Sequence, residues 1–311
     1  FWCSKSIGIS IISSIILILV LSFVRCSRLT VENFDDSEDR IVVGTNGVGS
    51  TLTNIFSKKF TIQTCDGKKQ FNQTFTNNMS DRTKPKITRK KTKHTEITYL
   101  TDFERFGLKG IDRNHYLMIT KRLIDIAACN PSLKIFLNNN PVSFRTFKDY
   151  ASRYVTPVFY EQSEHWKIGI GHSTTGFKAI SFVNSVETKD GGTHVNDIDW
   201  QITSFLREKI KRKYRVDVKP SELRQHLYLF INCTIINPAF SSQTKEKLIT
   251  SPKDFGTKHI LSDKVLRQVL NSEIIQSVLD WIERKKDAEE RKKLRRLNKG
   301  LDKTKVLKLI D

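Results

Sequence analysis

A glycine-rich stretch early in the chain has the composition of a phosphate-binding loop. Residues 43–54 read VGTNGVGSTLTN, with Gly44, Gly47 and Gly49 following the β-branched run 41–43. Glycines this close together let main-chain amides approach a ligand, and phosphate is the usual one. The stretch is not a Walker A loop, since no Gly-Lys-Ser/Thr follows, and its glycine order differs from a dinucleotide-binding fingerprint. Taken alone, it favours a glycine turn between a strand and a helix.

Two further motifs could carry chemistry. The stretch SSQTKEKL at 241–248 contains Lys245, which by spacing alone is more simply a solvated side chain in a polar loop. The turn Gly191-Gly192-Thr193-His194 contains a histidine, but no serine or cysteine near it could serve as its nucleophile. We therefore interpret His194 as a residue that packs against, or caps, the helix that follows.

The bulk composition indicates a folded protein with a polyanionic partner. A length of 311 residues is enough for two domains, and a hydrophobic fraction of 38% suits a chain with a real core. The formal net charge is +20 and the isoelectric point is near 9.7. Such a charge favours nucleic acid, an anionic membrane or a nucleotide as the partner. The five cysteines are scattered without a Cys-x-x-Cys pair, so neither a zinc site nor a disulfide framework is predicted.

An apolar segment near the start contrasts with this composition. Residues 7–24 carry no charge and are flanked by Lys5 and Arg25, as in a signal anchor or a short spanning helix. The chain begins with Phe1, and free cysteines and the glycine loop follow the segment. We therefore expect residues 1–28 to be a truncated or mis-framed start, with a membrane anchor as the alternative.

Hydrophobic periodicity predicts alternating helices and strands beyond this segment, which is typical of two α/β sandwiches. Strands are predicted on both sides of a turn at Cys65–Gly67. Residues 82–94 carry seven Lys/Arg and no acid, which predicts an exposed, mobile basic loop. Amphipathic helices are predicted over 114–130 and 195–214, and one long helix is predicted from Asp263 to Gly300.

Several blocks of the sequence resemble the type IIA DNA topoisomerases. These blocks are IVVGTNGVGSTLTNIFS, AISFVNSVETKDGGTHV and NPAFSSQTKEKL, in the family's order, with HTEITYLTDFERF and VKPSELRQHLYLFINCTI between them. The resemblance covers residues 29–311. The residues of these blocks are closer to the eukaryotic and large-phage branch than to bacterial gyrase. It implies an α/β (α+β) fold with four parts: a partial GHKL-type ATP-binding sandwich at 29–140, a transducer α/β sandwich at 141–262, a long transducer helix at 263–300 and a linker at 301–311.

The resemblance also implies roles for the motifs quoted above. In this family, the glycine loop is the lid that wraps the ATP triphosphate, and a transducer loop brings a lysine to the γ-phosphate. Lys245 and Gln243 are therefore the implied catalytic residues, and both would also contact ATP. The other implied ATP contacts are Asn33 near the ribose, and Thr45, Asn46, Gly47, Val48, Gly49 and Ser50 around the phosphates. Thr51 stands where eukaryotic members carry a phosphate-binding lysine, which puts that contact in doubt.

Parts of the family's catalytic apparatus have no counterpart in the sequence. The general-base glutamate, the magnesium-binding asparagine and the adenine-binding turn precede the lid in the family, and none occurs before residue 29. The magnesium-binding cleavage domain would follow KVLKLID. We therefore expect ATP and Mg²⁺ as cofactors of the intact enzyme, no metal ligands in this chain and no activity of the chain alone.

The partners implied by the resemblance are double-stranded DNA, ATP, a second copy in the intact enzyme, and the domains or subunits that carry the cleavage centre. The basic stretches 82–93, 207–215 and 284–299 could contact a duplex through its phosphates, although solvated surface is the simpler interpretation of each. The candidate DNA contacts are Arg89, Lys90, Lys91, Lys211, Arg212, Lys213, Arg291, Lys292 and Lys293.

An alternative function stays open at this point. The chain could be a non-catalytic DNA-binding protein, or a membrane-anchored remnant, with the same fold and only its basic surface in use. The expected location is the cytoplasm or nucleoid, or the nucleus in a eukaryote. A membrane location would apply only if residues 7–24 were an anchor.

Overall fold

The computed structural model describes the backbone of residues 6–9, 39–41 and 48–301, and the side chains of residues 39–41 and 49–297. The α-helices in this range are α1 (Val48–Ile55), α2 (Arg113–Cys129), α3 (Phe147–Ala151), α4 (Thr193–Tyr214), α5 (Pro220–Arg224), α6 (Asp263–Leu270) and α7 (Glu273–Leu301). The strands are β1 (Ser6–Ile9), β2 (Ser57–Cys65), β3 (Lys69–Thr76), β4 (Asp81–Arg82), β5 (Lys86–Arg89), β6 (His94–Thr101), β7 (Lys134–Leu137), β8 (Asn140–Val142), β9 (Phe159–Gln162), β10 (Trp166–His172), β11 (Lys178–Val183), β12 (Val186–Glu187) and β13 (Leu227–Cys233).

These strands form three sheets within the described residues. Their orders are β1-β7-β8, then β12-β11-β13-β10-β9, and β4-β3-β2-β6 with β5 also paired to β3. The contacts between Cα atoms divide the chain into two compact units. These are unit 1 (Phe1–Tyr150, Phe182–Asp190, Asn232–Lys258) and unit 2 (Ala151–Ser181, Gly191–Ile231, His259–Asp311). Helices and strands mix as the sequence predicted, whereas the domain bounds expected above stay a prediction.

The central sheet of unit 1 is built on β2. This strand pairs antiparallel with both β3 and β6, so that Phe60 lies opposite Phe75 on one side and Tyr99 on the other. Alternate residues of a strand face the same side, and here they form a cluster of Phe60, Ile62, Tyr99, Phe71, Phe75 and Ile97. The predicted turn between β2 and β3 is confirmed: the carboxylate of Asp66 accepts main-chain hydrogen bonds from Lys68 and Lys69 at 2.7 Å each.

The prediction of a loop at 82–94 is wrong in part, because this mostly exposed stretch contains β5 together with the last residue of β4 and the first residue of β6. Strands β4 and β5 both pair antiparallel with β3, with Lys86 opposite Asn72 and Arg89 opposite Lys69. All residues of β5 are exposed. Lysine and arginine are compatible with a strand at this position because an edge strand keeps its side chains in water.

Helix α2 packs its apolar stripe inside unit 1. It begins after Asp112, whose side chain accepts a hydrogen bond from the main-chain N–H of His115 at 2.8 Å. Ile119, Leu123 and Ile126 recur at helical spacing and are buried. The predicted amphipathic helix is therefore confirmed.

The apolar segment near the start lies mostly outside the described residues. Its described part is β1, which runs parallel to β7 with Ile7 opposite Ile135. None of the helices in the described ranges combines the length and the apolar character that a membrane crossing requires. The interpretation of residues 1–28 as a truncated or mis-framed start stays a prediction.

Unit 2 contains the longest buried helix face. Helix α4 buries Val195, Ile198, Ile202, Leu206 and Ile210, which follow each other at three- and four-residue steps. Strand β10 pairs antiparallel with β9, and Trp166, Ile168 and Ile170 are fully or almost fully buried along it. This unit therefore has its own core.

The prediction of a single helix from Asp263 to Gly300 is wrong in one respect. The chain there forms two helices, α6 and α7, with a break at Asn271–Ser272. The N–H of Asn271 ends α6 with a hydrogen bond to the carbonyl of Arg267 at 3.1 Å. The Ser272 hydroxyl accepts from the N–H of Ile274 at 3.3 Å, as an N-cap residue does. The apolar stripe continues across the break, which explains why periodicity alone did not show it.

We predict that Gly171→Ala destabilises the protein. A Cβ at this buried position of β10 would lie 2.4 Å from Cγ1 of Val155, whose branched side chain has little freedom to turn away. The expected loss is about 1–3 kcal/mol of unfolding free energy, as for other overpacked core positions, measured by denaturant unfolding. Gly110→Ala is the control, because nothing lies within 4 Å of its Cβ position. Equal unfolding midpoints for the two variants would contradict the packing described here.

Candidate nucleotide-binding site

The first candidate element is the N-terminal end of α1, directly after the glycine loop. Val48 is the first helical residue, and Gly49 and Ser50 lie in the first turn and are partly buried. The first amides of a helix have no partner inside the helix and can bind an anion. Asn33, Thr45, Asn46 and Gly47 lie outside the described residues, so their predicted contacts stay predictions.

The second candidate element is the tip of a short hairpin that carries Gln243 and Lys245. Its two arms are joined by main-chain hydrogen bonds, from the N–H of Ile249 to the carbonyl of Ala239 at 2.9 Å and from that of Ser241 to Lys247 at 3.0 Å. At the tip, the N–H of Lys245 donates to the carbonyl of Ser242 at 3.0 Å. The hairpin therefore presents residues 242–246 as one compact turn, which we call the lysine loop.

Gln243 and Lys245 differ in their surroundings. Gln243 is exposed, whereas Lys245 is half-buried, and this burial lowers the pKa of its ammonium group. Lys245 also has a positive φ of 60°, a left-handed conformation that costs about 1–2 kcal/mol for a residue other than glycine. A charged side chain held in a strained and partly dry position is typical of a ligand-binding residue.

Asn237, at the base of the hairpin, pairs with Arg40, which precedes the glycine loop. Its N–H donates to the carbonyl of Arg40 at 2.9 Å, and its Oδ1 accepts from the N–H of Arg40 at 3.1 Å. Arg40 lies four residues before Gly44, and Asn237 lies six residues before Gln243. The segment that leads into the glycine loop and the hairpin that carries the lysine loop therefore start from the same place.

Asn184 strengthens this junction with its side-chain amide. Its Nδ2 donates to the carbonyl of Ile41 at 2.7 Å and to that of Ile235 at 2.8 Å. Its Oδ1 accepts from the N–H of Ile235, also at 2.8 Å. One side chain thus connects the residues before the glycine loop with the strand end that leads to Asn237.

The segment 184–190 also contacts the lysine loop and α2. Its last residue, Asp190, donates its N–H to the carbonyl of Glu246 at 2.9 Å, next to Lys245. On the other side, Arg122 Nη2 donates to the carbonyl of Ser185 at 3.0 Å. The segment therefore links α2 to the lysine loop and to Ile41 before the glycine loop.

A charged network fixes the middle of this segment against α2. Lys121 Nζ lies 2.8 Å from Glu187 and 2.7 Å from Asp125, and the Tyr150 hydroxyl donates to Asp125 at 2.8 Å. Asp125 is almost fully buried, and that burial raises the pKa of its carboxyl group although Lys121 lowers it. Lys121 is consequently the charge that makes an ionised Asp125 acceptable at this position.

Residues that sequence reasoning missed hold the loops rather than contact a ligand. Asn184, Asn237 and Asp190 all lie in blocks quoted for the resemblance, but none carries a group with obvious chemistry. Asn184 and Asn237 have positive φ values of 50° and 48°. The only sequence signal for these two asparagines was the preference of asparagine for turns. That preference predicts a backbone conformation, but it does not predict which groups the side chain bonds to.

The other candidates have simpler explanations. His194 is fully buried, and this burial lowers its pKa to about 3, so the predicted packing role is confirmed. The part of the chain that the structure describes contains no group of three or more His, Cys, Asp or Glu side chains that could hold a metal ion.

The predicted DNA contacts lie on three separate elements. Arg89 ends β5 and Lys90 and Lys91 follow it, all exposed. Lys211, Arg212 and Lys213 lie in the last turn of α4, where Arg212 forms an ion pair with Glu208 at 2.9 Å. Arg291, Lys292 and Lys293 are exposed on α7. No single surface is established by these positions.

Comparisons with known proteins identify the fold and the family. The profile of the family described as DNA gyrase B matches residues 139–297. The chain is 40% identical over 299 residues to the mitochondrial DNA topoisomerase 2 of Dictyostelium discoideum, a match that covers 87% of this chain and 23% of that protein. Among solved structures, it is similar to the ATPase and transducer domains of DNA topoisomerase II from Balamuthia mandrillaris, with 38% identity, a TM-score of 0.79 and coverage of 83% and 69% of the two chains.

The chain is also similar to the solved ATPase region of Saccharomyces cerevisiae topoisomerase II. The identity is 34%, the TM-score is 0.75, and the match covers 81% of this chain and 68% of that one. In fold, the chain is a GHKL-type ATPase region of mixed α/β structure. It belongs to the DNA gyrase B family of the type IIA DNA topoisomerases. It spans roughly a fifth of the length of the curated relatives it matches, 23% and 18% for the two Dictyostelium proteins. The resemblance to the eukaryotic branch is thereby confirmed, and the phage part of that prediction stays a prediction.

We predict that Lys121→Met destabilises the protein in a pH-dependent way. Without Lys121, the buried carboxylate of Asp125 has no cation, so its pKa rises further above 3.8 and its ionised form becomes costly. The expected loss at pH 8 is about 1–3 kcal/mol, less than for a fully buried pair because Lys121 is partly exposed. The loss should shrink as the pH falls towards 4, because Asp125 then becomes neutral in the folded protein.

The double variant Lys121→Met/Asp125→Asn is the control for this prediction. It removes the charge that Lys121 neutralises, so its unfolding free energy should show much less change between pH 8 and pH 4 than that of Lys121→Met. Chemical unfolding at both pH values measures the difference. A penalty for Lys121→Met that is equal at both pH values would contradict the network described above.

Proposed function

We propose that this chain is the ATP-binding and transducer part of a type IIA DNA topoisomerase subunit, in which Lys245 and Gln243 contact the nucleotide. The observation that carries this proposal is the pairing of Arg40 with Asn237, which brings the approach to the glycine loop and the base of the lysine loop together. The similar Balamuthia and Saccharomyces structures are an ATPase and transducer pair and an ATPase region. Membership in this family supports the same role here.

The charge of Lys245 is suited to a triphosphate. An ammonium group that burial has partly removed from water is attracted to an anion more strongly than an exposed one, because the local dielectric is lower. Hydrogen bonds from a lysine to phosphate oxygens are charge-assisted and strong. A bound phosphate would also offset the burial that lowers the pKa of Lys245. In this proposal the γ-phosphate is its partner, with Gln243 close by.

The remaining predicted ATP contacts complete the proposed site. Val48, Gly49 and Ser50 would offer main-chain amides of α1 to the phosphates. Asn33, Thr45, Asn46 and Gly47 are proposed on the resemblance alone. Mg²⁺ as the companion of ATP is likewise proposed from family membership, and no described residue is assigned to it.

The activity of the whole protein is a wider proposal. Within a complete subunit, ATP binding would close a homodimeric gate around duplex DNA, and hydrolysis would be coupled to passage of that duplex through a cleaved one. The cleavage centre would be carried by other domains or subunits. The relatives are named DNA topoisomerase 2, which supports this reading of the family.

We predict that Lys245→Ala weakens nucleotide binding at least tenfold. The loss of a charged hydrogen bond costs about 1.5–3 kcal/mol, which is about 10- to 150-fold in affinity. Binding is measured by fluorescence with a non-hydrolysable ATP analogue in the presence of Mg²⁺. The effect should be larger for the ATP analogue than for ADP, because only the former has a γ-phosphate.

Lys247→Ala is the matched control in the same hairpin. Lys247 is exposed and carries the same charge two residues away, so its loss should change the affinity less than twofold. Equal effects of the two variants would contradict the assignment of Lys245. If the unmodified chain bound no analogue at millimolar concentration, the non-catalytic alternative with a basic DNA-binding surface would be favoured.

The DNA partner is proposed to bind at the β4 and β5 edge of the sheet that is built on β2. We define the basic strip as the exposed residues Arg82, Lys84, Lys86, Arg89, Lys90, Lys91 and Lys93. None of these side chains forms an ion pair with another residue in the described ranges. Their charges are therefore available to the phosphates of a duplex.

The other two basic stretches are partly neutralised by acidic residues. In 207–215, Arg207 lies 3.2 Å from Asp217 and Arg212 lies 2.9 Å from Glu208. In 284–299, Lys285 lies 2.6 Å from Glu222, and α7 also carries Asp287, Glu289 and Glu290. The basic strip is therefore the strongest of the three candidates, and the proposed contacts on α4 and α7 are weaker ones.

We predict that replacing Arg89, Lys90 and Lys91 together by glutamine reduces the salt dependence of DNA binding. Each phosphate contact contributes about 0.9 to the slope of log K against log salt, so three lost contacts should reduce its magnitude by about 2.7. Fluorescence anisotropy with a short labelled duplex at several salt concentrations measures the slope. Glutamine keeps length and polarity, so the strand should remain.

The control replaces Arg291, Lys292 and Lys293 by glutamine. These residues carry the same charge in the same number, and the expected change in slope is smaller because acidic residues lie beside them on α7. A slope that falls equally in both triple variants would mean that DNA responds to net charge alone, which would contradict the assignment to the basic strip.

A further inference from the structure

We propose that Asn184 is a positioning residue of the nucleotide site. Its side-chain amide holds the segment before the glycine loop and the strand end before the lysine loop in a fixed relation. This inference rests on the proposed function, because the site that Asn184 positions is the proposed one. In this proposal Asn184 acts through the two loops and not by a contact of its own with the nucleotide.

The hydrogen bonds of Asn184 use its amide completely on the donor side. Nδ2 has two protons, and they go to the carbonyls of Ile41 and Ile235 at 2.7 and 2.8 Å. Oδ1 accepts from the N–H of Ile235. The two recipients are far apart in sequence and lie just before the two proposed nucleotide-binding elements.

The backbone of Asn184 narrows the choice of residue further. Its φ is 50° and that of Ser185 is 68°, so the chain reverses between β11 and β12 in the left-handed region. Glycine, asparagine and aspartate tolerate this region best. Of these, only asparagine also supplies two donors and an acceptor. The position thus demands a conformation and a hydrogen-bonding pattern that one residue type satisfies together.

Two further contacts explain how Asn184 can affect Lys245. Asn237, two residues after Ile235, pairs with Arg40, and Asp190, six residues after Asn184, donates to the carbonyl of Glu246. Release of Ile41 and Ile235 would therefore loosen the hairpin at its base, near Asn237, and at its tip, near Glu246. A residue that only formed the turn between β11 and β12 would not influence the loop in this way.

The test uses two variants of the full chain, with a matched control. Asn184→Gly keeps the left-handed backbone and removes all three hydrogen bonds, and Asn184→Asp keeps the backbone and the acceptor but removes both donors. Asn139→Gly is the control, because Asn139 is exposed and has a φ of 65° in the turn between β7 and β8. It makes the same change to chain flexibility without touching the proposed site.

We expect Asn184→Gly to weaken binding of the non-hydrolysable ATP analogue at least tenfold, and Asn184→Asp to weaken it by a comparable factor. The effect should depend on Lys245. In the Lys245→Ala background, Asn184→Gly should weaken binding by a smaller factor than in the unmodified chain, since only its effect through the segment before the glycine loop remains. Asn139→Gly should leave the affinity within twofold of the unmodified chain. Full additivity of the Asn184 and Lys245 effects, or an unchanged affinity, would overturn the proposal.

A second measurement separates this inference from the proposed function. Hydrogen exchange of the nucleotide-free chain should show faster exchange of the amides of Asn237, Lys245 and Ile249 in Asn184→Gly, and no change there in Asn139→Gly. Unchanged exchange in the hairpin would overturn the positioning role even if nucleotide binds. Faster exchange without any nucleotide binding by the unmodified chain would contradict the proposed function and leave the positioning of the hairpin established.

Discussion

The candidate site depends on hydrogen bonds to main-chain groups that lie outside the regular strands. Ile41 precedes the glycine loop and Ile235 follows β13, and neither lies within a described strand. Ile235 is fully buried, and a buried main-chain group is costly when it is unpaired, whereas Ile41 is exposed. The side-chain amides of Asn184 and Asn237 bond to the main chain at Ile41, Ile235 and Arg40. Two asparagines therefore take the place of a sheet where the candidate loops begin.

This arrangement gives the lysine loop a firm base and a small tip. The arms of the hairpin are joined to each other, and Leu248 is fully buried. At the tip, the hydroxyls of Ser242 and Thr244 form a hydrogen bond at 2.7 Å, and the carbonyl of Glu246 accepts from the N–H of Asp190. Local opening of such a tip costs little compared with opening of the core. A loop of this kind can respond to a ligand without disturbing the fold.

Much of the fold could be predicted from the sequence because its signals are local. The alternation on both sides of Cys65–Gly67 and the apolar stripes of α2 and α4 are periodic patterns, and all correspond to described elements. Strand β5 was missed because its pairing with β3 is long-range and its composition is that of a loop. The break at Asn271–Ser272 was missed because the apolar spacing continues across it.

The candidate site was predictable only in part, for a related reason. Its chemistry-bearing residues, Gln243 and Lys245, stand in a motif that resembles a family, so they could be proposed from the sequence. The half-burial of Lys245 and its left-handed backbone could not, because both result from how the hairpin folds. Asn184 carries no chemistry of its own, and only its three partners identify its role.

The charged side chains of the described residues are of two kinds, those that form ion pairs and those that do not. Lys121 lies beside Asp125 and Glu187, where its charge offsets buried carboxylates and contributes to the fold. Along the basic strip, by contrast, no cation forms an ion pair within the described residues, and their mutual repulsion is a cost to the folded chain. A bound polyanion would relieve this repulsion. The net charge of +20 is therefore a poor guide to function by itself, and the location of the unpaired part of it is the informative quantity.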